Sequence, residues 1–85
     1  MKMNQSEILH AHASILGVAS DDTTSIEECE QMIQRAKDFL AKALEQNQLV
    51  LVDLGETTER IELLYSNTRA NFEYGKAYRK FKAVT

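Results

Sequence analysis

The stretch SIEECEQMIQRAKDFLAKALEQNQLVLVDLG, residues 25–55, decides the fold. Within it Ile26, Cys29, Ile33, Ala36, Leu40, Ala43, Asn47, Val50 and Leu54 recur at alternating steps of three and four, the spacing that lines one face of a helix. Ser25 with Glu28 is a capping box: the serine oxygen can accept the N–H of residue 28 while the glutamate returns to the serine N–H. Glu27, Glu28 and Glu30 stand where the helix dipole favours negative charge. The pattern therefore predicts one helix over 26–54 with a single apolar seam. Leu49-Val50-Leu51-Val52 also suits a strand. No second strand candidate exists to pair with it inside the chain, so helix is preferred and a strand would have to pair with another molecule.

On the C-terminal side, Gly55 is the residue expected just past a helix end, and Thr57 or Thr58 can cap the next helix. A helix over about 57–83 follows, with Leu63, Asn67, Ala70, Tyr74, Ala77, Phe81 and Val84 again stepping by four and three. Two helices of similar length with facing seams make an antiparallel αα-hairpin about 40 Å long at 1.5 Å per residue. On the N-terminal side, Ser6 opens a shorter amphipathic helix over about 6–18, with Ile8, Leu9, His12, Ile15 and Leu16 on one face and Gly17 near its end. Residues 19–25 are rich in Asp, Ser and Thr, which favour turns and caps. The expected architecture is all-α: a short N-terminal helix plus a long hairpin over residues 1–85, a three-helix arrangement or, as a dimer, a coiled-coil-like bundle. Absence of proline and abundance of good helix formers agree with this.

A second apolar stripe, Ile61, Leu64, Tyr65, Thr68 and Phe72, runs along the last helix displaced from its seam. The first helix is expected to shield one end of it, leaving the rest as a protein interface. Asn47 and Asn67 sit at seam positions where a buried amide costs stability but selects register or oligomer state, and these two are the expected determinants of self-association, a dimer being favoured.

Charge divides unevenly. Ten acids and four bases precede Thr58, whereas three acids and six bases follow from it, making the front net −6 and the last helix net +3, which sum to −3. Arg69, Lys76, Arg79, Lys80 and Lys82 interleave with Phe72, Tyr74, Tyr78 and Phe81, a composition that can grip a phosphate backbone and stack bases; nucleic-acid binding is the alternative expectation. Net acidity weighs against it.

Signatures of chemistry are missing. There is no G-x-G-x-x-G, P-loop, H-E-x-x-H or G-x-S-x-G. His10 and His12 lie about 200° apart around a helix and cannot chelate one metal, and the acidic run 21–30 lacks the central glycine of a calcium loop. Cys29 has no base or orienting group tied to it in sequence. No catalysis, cofactor or metal is expected. No apolar run reaches the roughly 18 residues a membrane span needs, the N-terminal stretch is too polar for a signal peptide, and a lone cysteine suits a reducing, cytoplasmic setting.

The proline-free helical make-up and the stretch Asn71-Phe72-Glu73-Tyr74-Gly75-Lys76-Ala77-Tyr78 are similar in style to small helical accessory proteins encoded by bacteriophages and prophages. That resemblance implies a regulator or inhibitor acting through a protein partner. The function expected is a non-enzymatic helical interaction protein that self-associates and binds a protein partner.

Overall fold

The computed structural model describes residues 3–21 and 25–84, with side chains described from Met3 to Ala77 within those limits. Among the described residues, three helices, α1 (Gln5–Ala19), α2 (Ile26–Glu45) and α3 (Thr58–Val84), and one 3₁₀ turn (Leu51–Leu54) account for the regular structure, so the fold is all-α as the periodicity predicts. The molecule measures 50 × 24 × 17 Å.

The cap of α1 lies two residues earlier than Ser6 suggests. Asn4 Oδ1 accepts the N–H of Glu7 at 2.8 Å, and the Glu7 carboxylate accepts the N–H of Asn4 at 3.0 Å, completing a capping box. Helix α1 then runs through Gly17 to Ala19, where Ser20 closes it by donating its N–H to the Leu16 carbonyl and its hydroxyl to that of Gly17. Ser25 caps α2, its oxygen accepting the Glu28 N–H at 3.2 Å. Thr57 does the same for α3 through the Arg60 N–H at 3.2 Å.

The long helix predicted over 26–54 is broken, and the break is local chemistry. Asn47 takes the left-handed conformation, φ 57°. Its N–H bonds the Leu44 carbonyl at 3.2 Å and the Gln48 N–H bonds that of Ala43 at 2.9 Å, the paired closure of a Schellman motif. Asparagine enters the left-handed region at lower cost than most side chains. Asn47 is thus an exposed helix stop and does not occupy the helical seam position expected of it. Past it, Leu49 is buried in the core, Val50 is extended and Leu51–Leu54 form the 3₁₀ turn; residues 49–52 are neither α-helix nor ladder-forming strand. Gly55, φ 71°, ends that turn with its N–H on the Val52 carbonyl. The Gln5 carboxamide accepts the Val50 N–H at 2.6 Å, fastening this connection to the start of α1.

The core is built from Ile8, Leu16 and Ala19 of α1, Cys29, Ile33, Ala36, Leu40 and Ala43 of α2, Leu49, and Ile61, Tyr65 and Phe72 of α3. Small residues Ala19, Cys29, Ala36 and Ala43 let α1 and α2 approach closely, and that antiparallel pair is the most extensive contact in the molecule. Helix α3 lies across both, antiparallel to α2, with Tyr65 beside Lys37 and Arg69 beside Glu30. Arg69 is already level with the first turn and a half of α2, so the end of α3, about 15 residues further and about 20 Å of helix, runs beyond that partner.

Candidate interaction surface

Helix α3 carries two rows of side chains, and the fold separates them. Ile61, Tyr65, Thr68 and Phe72, spaced by four, three and four, are buried against α1 and α2, Phe72 at 1% exposure. The expected protein interface is therefore the interior face of the helix: of the five residues assigned to it, only Leu64 shows appreciable surface, at 38%. The physical reason is the length of α1. Its 15 residues span about 22 Å, enough to reach along the row, and its face presents Ile8, His12, Leu16 and Ala19 in step with it.

His12 makes this cover possible. Its Nε2 lies 2.9 Å from the Tyr65 hydroxyl, with the rings edge to face at 5.5 Å and 71°. Both groups are buried, His12 at 1%, and each satisfies the other, so the phenol enters the core without an orphaned hydroxyl. Burial holds the His12 imidazole below its ordinary value of 6.5. Burial, with the Glu62 carboxylate adding to it, pushes the Tyr65 phenol up to about 12. Thr68 solves the same problem within α3 by donating its hydroxyl to the Leu64 carbonyl at 2.8 Å.

The basic residues proposed for nucleic acid are differently occupied. Arg69 is held between Glu30 at 2.6 Å and Glu73 at 3.1 Å. The Lys76 ammonium lies 5.2 Å over the Phe72 ring. The side chains of Arg79, Lys80 and Lys82 lie outside the described residues. Between α2 and α3 a groove of about 460 Å³ is lined by Glu30, Gln34, Lys37, Glu62, Ser66 and Arg69, a mixture of both signs. Lys37 sits 5.3 Å over the Tyr65 ring at its floor.

Cys29 is fully buried, and desolvation pushes its thiol up, which is the opposite of what a nucleophile needs. The nearby Arg69 lowers it, and Glu30 and Glu73 raise it further. Among the described residues no three His, Cys, Asp or Glu side chains group as metal ligands, and no helix is long and apolar enough to cross a membrane.

The second row of α3 faces outward. Leu63 is 59% and Tyr74 73% exposed, and Asn67, Ala70 and Ala77 are exposed between and beyond them. At about 100° per residue this row lies roughly half a turn around the cylinder from the buried one. It is the row that the four-three repeat predicts as the hairpin seam, whereas the structure buries the other stripe in its place. Bulk was the available signal in the sequence: Ile61, Tyr65 and Phe72 offer more apolar volume to a core than Leu63, Asn67 and Ala70. No family description, curated protein or solved structure matches this chain.

Proposed function

We propose that this chain is a non-enzymatic helical interaction protein that works by presenting the outward row of α3, Leu63, Asn67, Ala70, Tyr74 and Ala77, to another helix. One observation carries the proposal: the row keeps strict four-three spacing, the pattern of a helix-helix seam, while the core is already complete on the opposite face of the same helix. A helix needs only one apolar face to dock in its own bundle. A second, in seam register and with a large aromatic and a leucine exposed, is surface of the kind used for contact. The lone buried cysteine supports a reducing setting such as the cytoplasm, and an accessory or regulatory role follows from a protein that binds without chemistry of its own.

The test is photo-cross-linking in cells. A benzophenone side chain at Leu63 or at Tyr74 is expected to give discrete adducts that the same group at Lys42, exposed on α2, does not give. Equal or absent adducts from all three positions would refute the surface.

A further inference from the structure

We infer that the occupant of the outward row of α3 is the same row of a second copy, running antiparallel, with Leu63 of each copy against Tyr74 of the other. This rests on the outward row being a docking surface, and adds who docks and in which direction. Three properties of the row point to it. The first is charge. The opening turns, residues 58–66, hold Glu59 and Glu62 against Arg60, whereas residues 73–84 hold Lys76, Arg79, Lys80 and Lys82 against Glu73. These bases do not line the row itself, and Lys76 lies over Phe72 on the buried side, so charge acts through the helix ends: parallel pairing sets the two basic ends side by side, and antiparallel pairing sets each acidic opening beside a basic end. Antiparallel helix dipoles act in the same sense.

The second is size. In an antiparallel seam a layer from the four-step of one helix meets one from the three-step of the other, so a register centred between Thr68 and Arg69 sets Leu63 against Tyr74, Asn67 against Ala70 and Arg60 against Ala77. Every layer then matches a long side chain with a shorter one. The third is the amide. Asn67 is exposed in the single chain and would be a buried polar group in an interface. In this register the two Asn67 residues flank the two-fold axis, offset from one another by about 4.5 Å along the helix direction at 1.5 Å per residue, with an alanine opposite each to leave room for the amides to bond one another. That keeps for Asn67 the register role expected of it.

Two measurements on the full chain decide it. Sedimentation equilibrium at up to roughly 100 µM, where even a modest association is populated, is expected to give twice the 9.7 kDa chain mass. The double variant Leu63→Glu, Tyr74→Glu is expected to sediment as a monomer with unchanged helical circular dichroism. For direction, a spin label is placed at Glu59→Cys, which is exposed, while buried Cys29 stays unlabelled in the parent chain treated alike. Antiparallel pairing sets the two labels about 30 Å apart, 19 residues of rise, and parallel pairing within about 15 Å. A monomeric parent chain, a dimer untouched by the double variant, or the short distance would each overturn the proposal. A monomer that still gives specific adducts from Leu63 and Tyr74 in cells would leave the docking surface standing and assign it to another protein.

Discussion

The two faces of α3 hold side chains of similar kind and meet different fates. Ile61, Tyr65, Thr68 and Phe72 are buried; Leu63, Asn67, Ala70 and Tyr74 are exposed, although both sets step by four, three and four. Periodicity says that a face can pack, and it does not say against what. The choice was made by α1, which brings a long enough apolar face and, in His12, a partner for the one hydroxyl that would otherwise have barred Tyr65 from the interior.

The sharpest way to break this contrast is to truncate one aromatic from each face. Phe72→Ala is expected to cost about 3–5 kcal/mol by loss of a fully buried ring, enough to threaten a domain this small. Tyr74→Ala, measured by urea unfolding at concentrations that keep the chain monomeric, is expected to change stability by less than about 0.5 kcal/mol. Equal costs would mean that the faces are not distinguished as described.

Next in size is the clasp that seats the inner face. Tyr65→Phe keeps the ring and removes the hydroxyl, leaving the His12 nitrogen buried without its partner, and is expected to cost about 1–3 kcal/mol. The same pair sets a pH window. His12 titrates lower in the folded than in the unfolded chain, so its contribution is full above pH 6.5 and is lost as pH falls below that value toward the folded one. Tyr65 titrates higher when folded, so its contribution is full below pH 10 and is lost as pH rises toward about 12. Cys29, raised from 9.0, adds loss of the same sign on the alkaline side. A flat urea midpoint between pH 6.5 and pH 9 is expected, and Tyr65→Phe should reduce the alkaline fall; an unaltered profile in that variant would detach the fall from Tyr65.

A smaller effect separates the two accounts of Asn47. On a helix seam, Asn47→Leu would stabilise; at a left-handed helix stop it is expected to destabilise by about 1 kcal/mol, while Asn47→Gly is neutral or slightly stabilising. A salt-dependent effect of at most that size concerns the ion pairs along the edge of the inner face. Arg69→Gln is expected to cost no more than about 1 kcal/mol, diminishing with added salt, because Arg69 and both carboxylates are about half exposed to water.

Much of the molecule is legible in the sequence because it is decided within a few residues. The helical class follows from composition and spacing, and Ser25, Gly55 and Thr57 act where their chemistry says: a hydroxyl beside free N–H groups, or a residue without a Cβ where φ is positive. The stop at Asn47 is equally local, but a three-four repeat running through an asparagine looks the same whether the amide continues the helix or ends it. The candidate surface was legible only as a pair of rows. Sequence by itself determined that α3 has two faces able to pack, since side-chain spacing on a helix is a property of the backbone. Which of them is inside was decided by tertiary structure alone: burial depends on what another segment brings to the same place, and the match of His12 to Tyr65 lies 53 residues away along the chain.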